Sequence, residues 1–185
     1  LQHAVTGLAP YQASCTGRAA GPSEATVTRD WTYLSGSYTA GGAGTVNFVA
    51  VYGGDTNDLG ATSACGAANE SVTGTKAPPT ITTTASSSVA AGGTISDSAV
   101  LSGGFSPTGT ITFTVFGPSN PTCTGTPLGT STATVTGNGT YPSGPFTTAG
   151  VGTYNFVAVY SGDANNARVT SACGAANESV QVRPA

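Results

Sequence analysis

Hydrophobic and polar positions alternate along short stretches of this chain with a period of two. In TITFTV, at positions 110–115, Ile111, Phe113 and Val115 fall on one side and threonines on the other. YNFVAVY, at 154–160, sets Phe156 and Ala158 against Val157 and Val159. Alternation of this kind predicts β-strands with one buried face, and the β-branched and aromatic content agrees. Turn formers separate the runs: AGG at 91–93, GPSNP at 117–121, GNG at 137–139 and SGD at 161–163. No helical period lasts three turns, so the expectation is all-β.

The pattern occurs twice. TSACGAANESV stands at 62–72 and again at 170–180, and position n aligns with n+108 without a gap over residues 1–74. Cys15 falls on Cys123, Cys65 on Cys173, Tyr33 on Tyr141, Tyr38 on Phe146, and NFVAVYGGDTN on NFVAVYSGDAN. A unit of about 105 residues with some seven short strands fits an immunoglobulin-like β-sandwich, with a closed barrel as the alternative. The expected organisation is therefore a tandem of such sandwiches. Residues 1–74 form a partial copy, residues 75–79 a proline-containing connector, and residues 80–185 a complete copy. The prolines of GTKAPPT predict a short semi-rigid spacer and a rod-like pair.

Composition narrows the function. Only 7% of the 185 residues are charged, against about 25% in ordinary globular proteins. The five basic residues, Arg18, Arg29, Lys76, Arg168 and Arg183, are scattered singly and the net charge is −3, which disfavours nucleic acid as a partner. No apolar run approaches the roughly 20 residues of a membrane span, so membrane insertion is not expected. With 38% hydrophobic residues in alternating runs, the chain has the material for a core. It begins at Leu1 and contains no Met, which reads as a processed start or a portion of something longer.

Four cysteines in two equivalent pairs predict one disulfide per copy, Cys15 with Cys65 and Cys123 with Cys173. Free thiols are the alternative. The pairing implies an oxidising, extracellular or cell-surface location. Zinc would want Cys or His close together, whereas the single His3 has no counterpart in the second copy.

NFVAVYSGDANN followed by TSACGAANESV, with TGTITFTVFGP and AGGTISDSAVLSGG upstream, resembles the bacterial immunoglobulin-like repeats of secreted and cell-surface proteins. The likeness covers residues 78–182 as a whole unit and 1–72 as a partial one. It implies a stalk, spacer or adhesive module in a disulfide-bearing subgroup, with neighbouring domains or identical subunits as partners and no cofactor.

Chemistry-bearing residues are few. Asp55, Asn57 and Asp58 in one copy, and Asp163, Asn165 and Asn166 in the other, offer oxygens to calcium, but a competent site needs six to eight. The competing reading has Asp and Asn bonding the local backbone in a turn. No nucleophile has a positioned base and no carboxylate pair is evident, so an enzyme is not expected. Lys76 is the only lysine and lies in the connector, which excludes lysine crosslinks within the second copy. Asn69, Asn138 and Asn177 match the glycosylation pattern. Trp31 aligns with Gly139, so the repeat core does not require it. With Tyr11, Tyr33 and Tyr38 it marks a candidate interface, either with another subunit or domain or with surface glycans.

The second copy opens with PTITTTASSSVAAGGTISDSAVLSGGFSP, which supplies its first two strands, and residues 1–74 contain nothing to match it. The expectation is an incomplete first sandwich whose open edge is covered by further chain or by a neighbouring molecule. Function then reads as part of a surface stalk or as a filament subunit assembled by strand complementation. An adhesin or carbohydrate-binding module using exposed aromatics is the alternative.

Overall fold

In a computed structural model the chain divides into two compact units, Leu1–Thr75 and Lys76–Ala185. The structure describes the backbone of residues 4–7 and, with side chains, residues 15–16 and 21–185 except the Pro22 side chain. Every regular element among the described residues is a β-strand.

The first unit contains β1 (Ala4–Gly7), β2 (Gly21–Glu24), β3 (Gly44–Asn47), β4 (Val51–Tyr52), β5 (Ala61–Thr62) and β6 (Ser71–Gly74). They pair as β1-β2, β3-β6 and β4-β5, all antiparallel.

The second unit runs β7 (Thr80–Ala85), β8 (Val89–Ala90), β9 (Thr94–Ile95), β10 (Asp97–Ser102), β11 (Thr110–Phe116) and β12 (Gly129–Thr134). It continues with β13 (Gly139–Pro142), β14 (Phe146–Thr147), β15 (Gly152–Tyr160), β16 (Val169–Thr170) and β17 (Ser179–Arg183). One sheet has the order β13-β10-β7 and the other β12-β11-β15-β17-β8, with β16 on β15 and a separate β14-β9 pair. Alternation decides which residues meet between them. Ile111, Phe113 and Val115 of β11 and Phe156, Ala158 and Tyr160 of β15 are fully buried. One cluster joins Ala99 and Leu101 of β10 to Ile111, Phe113, Val135, Ala158 and Tyr160, so the two sheets share a core. A second joins Ile95 to Val115, Tyr154, Phe156, Val180 and Val182.

The expected spacer begins as part of this unit. Ala77 N–H donates to Asn165 O at 2.8 Å, Ala167 N–H donates to Ala77 O at 2.9 Å, and Pro79 is buried. Pairing with the loop at 165–167, rather than the stiffness of the two prolines, therefore positions residues 76–79.

The disulfides are Cys15–Cys65 and Cys123–Cys173, with Cα separations of 5.8 and 5.9 Å, and no described cysteine is free. Closing a loop over 50 positions is worth about 4 kcal/mol in the chain-entropy model. Disulfides of this kind point to an oxidising environment. No helix among the described residues is long and apolar enough to cross a membrane.

Candidate functional site

The internal repeat makes each unit a control for the other. The offset of 108 places β1 and β2 on β11 and β12, β3 and β4 on the two ends of β15, β5 on β16, and β6 on β17. Detailed bonding follows. Phe48 N–H donates to Glu70 O at 2.8 Å, as Phe156 does to Glu178 O at 2.9 Å. Ala50 and Ala158 each donate to the Oγ of the matching serine, Ser63 or Ser171, at 2.9 Å. Tyr33 OH donates to Arg29 O at 2.8 Å and accepts from Thr28 N–H at 3.0 Å; Tyr141 OH donates to Gly137 O at 2.7 Å and accepts from Thr136 N–H at 3.1 Å.

The units differ where β7 to β10 lie, since nothing described in the first unit matches those four strands. In the second unit β13 is a strand because β10 pairs with it, Leu101 opposite Gly139 and Ser98 opposite Pro142. Likewise β14 pairs with β9 through Phe146 and Ile95. The matching residues 31–34 and 38–39 form no strand. Their propensity is comparable, but among the described residues no strand pairs with them.

The same absence uncovers a face. Val180 is 1% exposed and its counterpart Val72 is 59% exposed. Phe156, Ala158 and Tyr160 are fully buried, whereas Phe48 and Tyr52 are half-buried and Ala50 is exposed. On this face a cavity of about 650 Å³ opens, floored by Val27, Ala50 and Tyr52 and walled by Tyr33, Trp31, Asp30, Asp58 and Leu59. The counterparts of Val27, Ala50 and Tyr52 in the second unit, which are Val135, Ala158 and Tyr160, pack in one cluster with Ala99 and Leu101.

Trp31 is 73% exposed at this mouth, with the Arg29 guanidinium 5.0 Å from its ring centroid. A Cβ added to Gly139 would meet nothing, so the position faces open space in both units. Burial pushes the Tyr52 phenol up, and the charges of Asp55, Asp58 and Asp30 push it further. The hydrogen bond from Thr28 N–H lowers the Tyr33 phenol against its desolvation.

Of the expected aromatic interface, Trp31 and Tyr33 share this cavity. Tyr38 does not line it; its ring lies over Gly21, where a Cβ would come within 2.7 Å. Phe146 lies over Gly129 in the same way. Tyr11 and His3 lie outside the described residues. Sequence reasoning passed over Tyr52, Arg29 and Asp30, although the exchange of Asn138 for Asp30 between the copies is a visible signal.

The calcium candidates form turns. Asp55 Oδ1 accepts from the N–H groups of Asn57 and Asp58 at 2.7 and 2.9 Å. Asp163 Oδ1 accepts from Asn165 and Asn166 at 2.8 Å, and its Oδ2 accepts from Thr108 N–H at 2.7 Å and Tyr160 OH at 3.1 Å. Burial opposes the charge of Asp163, but these bonds and the Asn166 amide outweigh it and hold the carboxyl below the usual range. The Tyr160 phenol, by contrast, is pushed up to about 12 by burial and by Asp163. Gly162 (φ +71°) closes the turn where a Cβ would come within 2.8 Å of backbone, and Gly54 does the same in the first unit. No cluster of three or more His, Cys, Asp or Glu among the described residues suits a metal. Asn69 and Asn177 are exposed with positive φ, while the Asn138 side chain is bonded to Gly104.

A second titratable site lies inside the second unit. Asp97 and Glu178 are 2% and 1% exposed, and Asp97 Oδ2 and Glu178 Oε2 have no hydrogen-bond partner. Desolvation, then the charge of Asp97, raises Glu178 to about 8. Asp97 is raised by burial, against hydrogen bonds from Ser98 and Thr84.

No protein-family model matches the chain, and no curated protein matches its sequence.

Proposed function

We propose that this chain is a structural module of an extracellular stalk or fibre, built from immunoglobulin-like sandwiches, whose first sandwich is completed by strands of a neighbouring module. The order β7-β10-β13 facing β11-β15-β17, with β8 parallel to β17, supports the immunoglobulin-like reading of the second unit. The uncovered inner face of the first unit carries the functional reading, above all the contrast between Val72 and Val180. A sheet face that leaves apolar side chains exposed favours β-strand addition. Sedimentation of the native material, followed by intact mass in denaturant, tests this. Large assemblies that dissociate to modules joined only by non-covalent contacts support a fibre, and one long polypeptide supports a stalk. A stable monomer of this length refutes both.

One observation favours a second reading. Trp31 stands exposed beside tyrosines and carboxylates, as in sugar-binding sites, although Arg29 covers one ring face. A glycan array with the wild type and Trp31→Ala tests it: binding lost in the variant supports an adhesin, and no binding at all dismisses it.

A further inference from the structure

In the second unit two amides clamp one dipeptide. Gly104 N–H donates to Asn138 Oδ1 at 3.0 Å while Asn138 Nδ2 donates to Gly104 O at 2.7 Å. Phe105 N–H donates to Asn166 Oδ1 at 2.7 Å while Asn166 Nδ2 donates to Phe105 O at 3.0 Å. A carboxamide carries a donor and an acceptor side by side, so it pairs with a peptide unit on both counts. Asn166 is fully buried by this contact.

Both amides are acids in the first unit: Asp30 stands for Asn138 and Asp58 for Asn166. Both line the cavity described above. An ionised carboxylate has no donor, so a backbone carbonyl arriving there would face acceptor against acceptor. The cationic side chain among the lining residues is Arg29. An apolar floor under an acidic rim suits an extended segment that brings a cation.

We propose that the strand docking on the first unit has small or apolar residues at alternate positions, as at Ala99 and Leu101, and a lysine or arginine where the second unit has Phe105, which is half exposed, whereas a Cβ at Gly104 would crowd Pro107 and Asn166. This rests on the completion reading above and names the chemistry of the partner. The same rim rejects the chain's own segment at 78–108, whose neutral dipeptide needs amides, and so biases the first unit away from capturing a second copy of that segment.

The chain contains a single tryptophan, Trp31, at the mouth of the cavity, so its fluorescence reports occupancy. The intact chain is titrated with two synthetic peptides, the sequence of residues 78–108 and the same peptide with Phe105→Lys. The lysine peptide is expected to bind about tenfold more tightly at low salt, with the preference shrinking at high salt. In the Asp30→Asn/Asp58→Asn variant the preference should pass to the unsubstituted peptide. Equal binding of both peptides to both proteins leaves completion standing and overturns the basic partner. Binding of neither peptide refutes the completion reading itself. Fluorescence changes driven by calcium chloride alone and abolished in the variant assign the rim to a metal, which also overturns the proposal.

Discussion

Val72 and Val180 occupy the same position in two copies of one fold, yet the first is 59% exposed and the second 1%. The strands that carry them, β6 and β17, pair alike with β3 and with the matching end of β15, and β17 is edged by β8 as well. The difference therefore lies in what covers the sheet. Val180→Ala should cost the second unit about 2 kcal/mol through lost burial and the cavity left behind. Val72→Ala in the unassembled chain should cost less than about 0.5 kcal/mol. Urea unfolding followed by residue-resolved hydrogen exchange separates the two units. Assembly should raise the cost of Val72→Ala towards that of Val180→Ala.

Glu178 gives the second unit a pH dependence with a definite sign. Its folded pKa is raised from 4.5 to about 8, and Asp97 moves in the same direction. The folded state therefore holds the proton more tightly than the unfolded chain. The Glu178 contribution is fully present below about pH 4.5, falls as pH rises and is lost above about pH 8, while the lowered Asp163 carboxyl works in the opposite sense at acid pH. Glu178→Gln should flatten this fall, as read from urea midpoints across the range.

Much of the fold was legible from the chain alone, because alternation such as that of Ile111, Phe113 and Val115 is a property of neighbouring residues. The cysteine pairing was legible for the same reason, since two copies repeat one spacing. The want of a counterpart to the first strands of the second copy was readable too, but not the cavity, because which side chains gather beside Ala50 and Tyr52 is set by tertiary placement. Nor was the effect of the Asp97 charge on Glu178, since the two lie far apart in sequence. The exchange of Asn138 and Asn166 for Asp30 and Asp58 was readable from the alignment. Its meaning needed the bonds to Gly104 and Phe105.

Those bonds make Asn166→Asp a demanding substitution. It removes the donor to Phe105 O and places a second carboxylate beside Asp163 in a fully buried position. The expected cost to the second unit is about 2–4 kcal/mol. The mirror change, Asp58→Asn, falls on an exposed residue and should shift stability by less than about 0.5 kcal/mol. Thermal unfolding of both variants checks the asymmetry.

Reduction should weaken the second unit without abolishing its core. Cys123→Ser/Cys173→Ser is expected to cost about 4 kcal/mol, while Phe113, Phe156 and Tyr160 remain packed between the sheets. Denaturant unfolding of the variant against the oxidised protein measures it.

Backbone exchange at residues 31–34 tests the central claim most directly. In the second unit the matching strand β13 is held by β10, so its amides should be protected at all times. Hydrogen–deuterium exchange of the dilute chain should show residues 31–34 exchanging fast, and the native assembly should show them protected to the level of β13. Fast exchange at 31–34 in the assembled material, with β13 protected, would contradict completion of the first unit by a neighbouring strand.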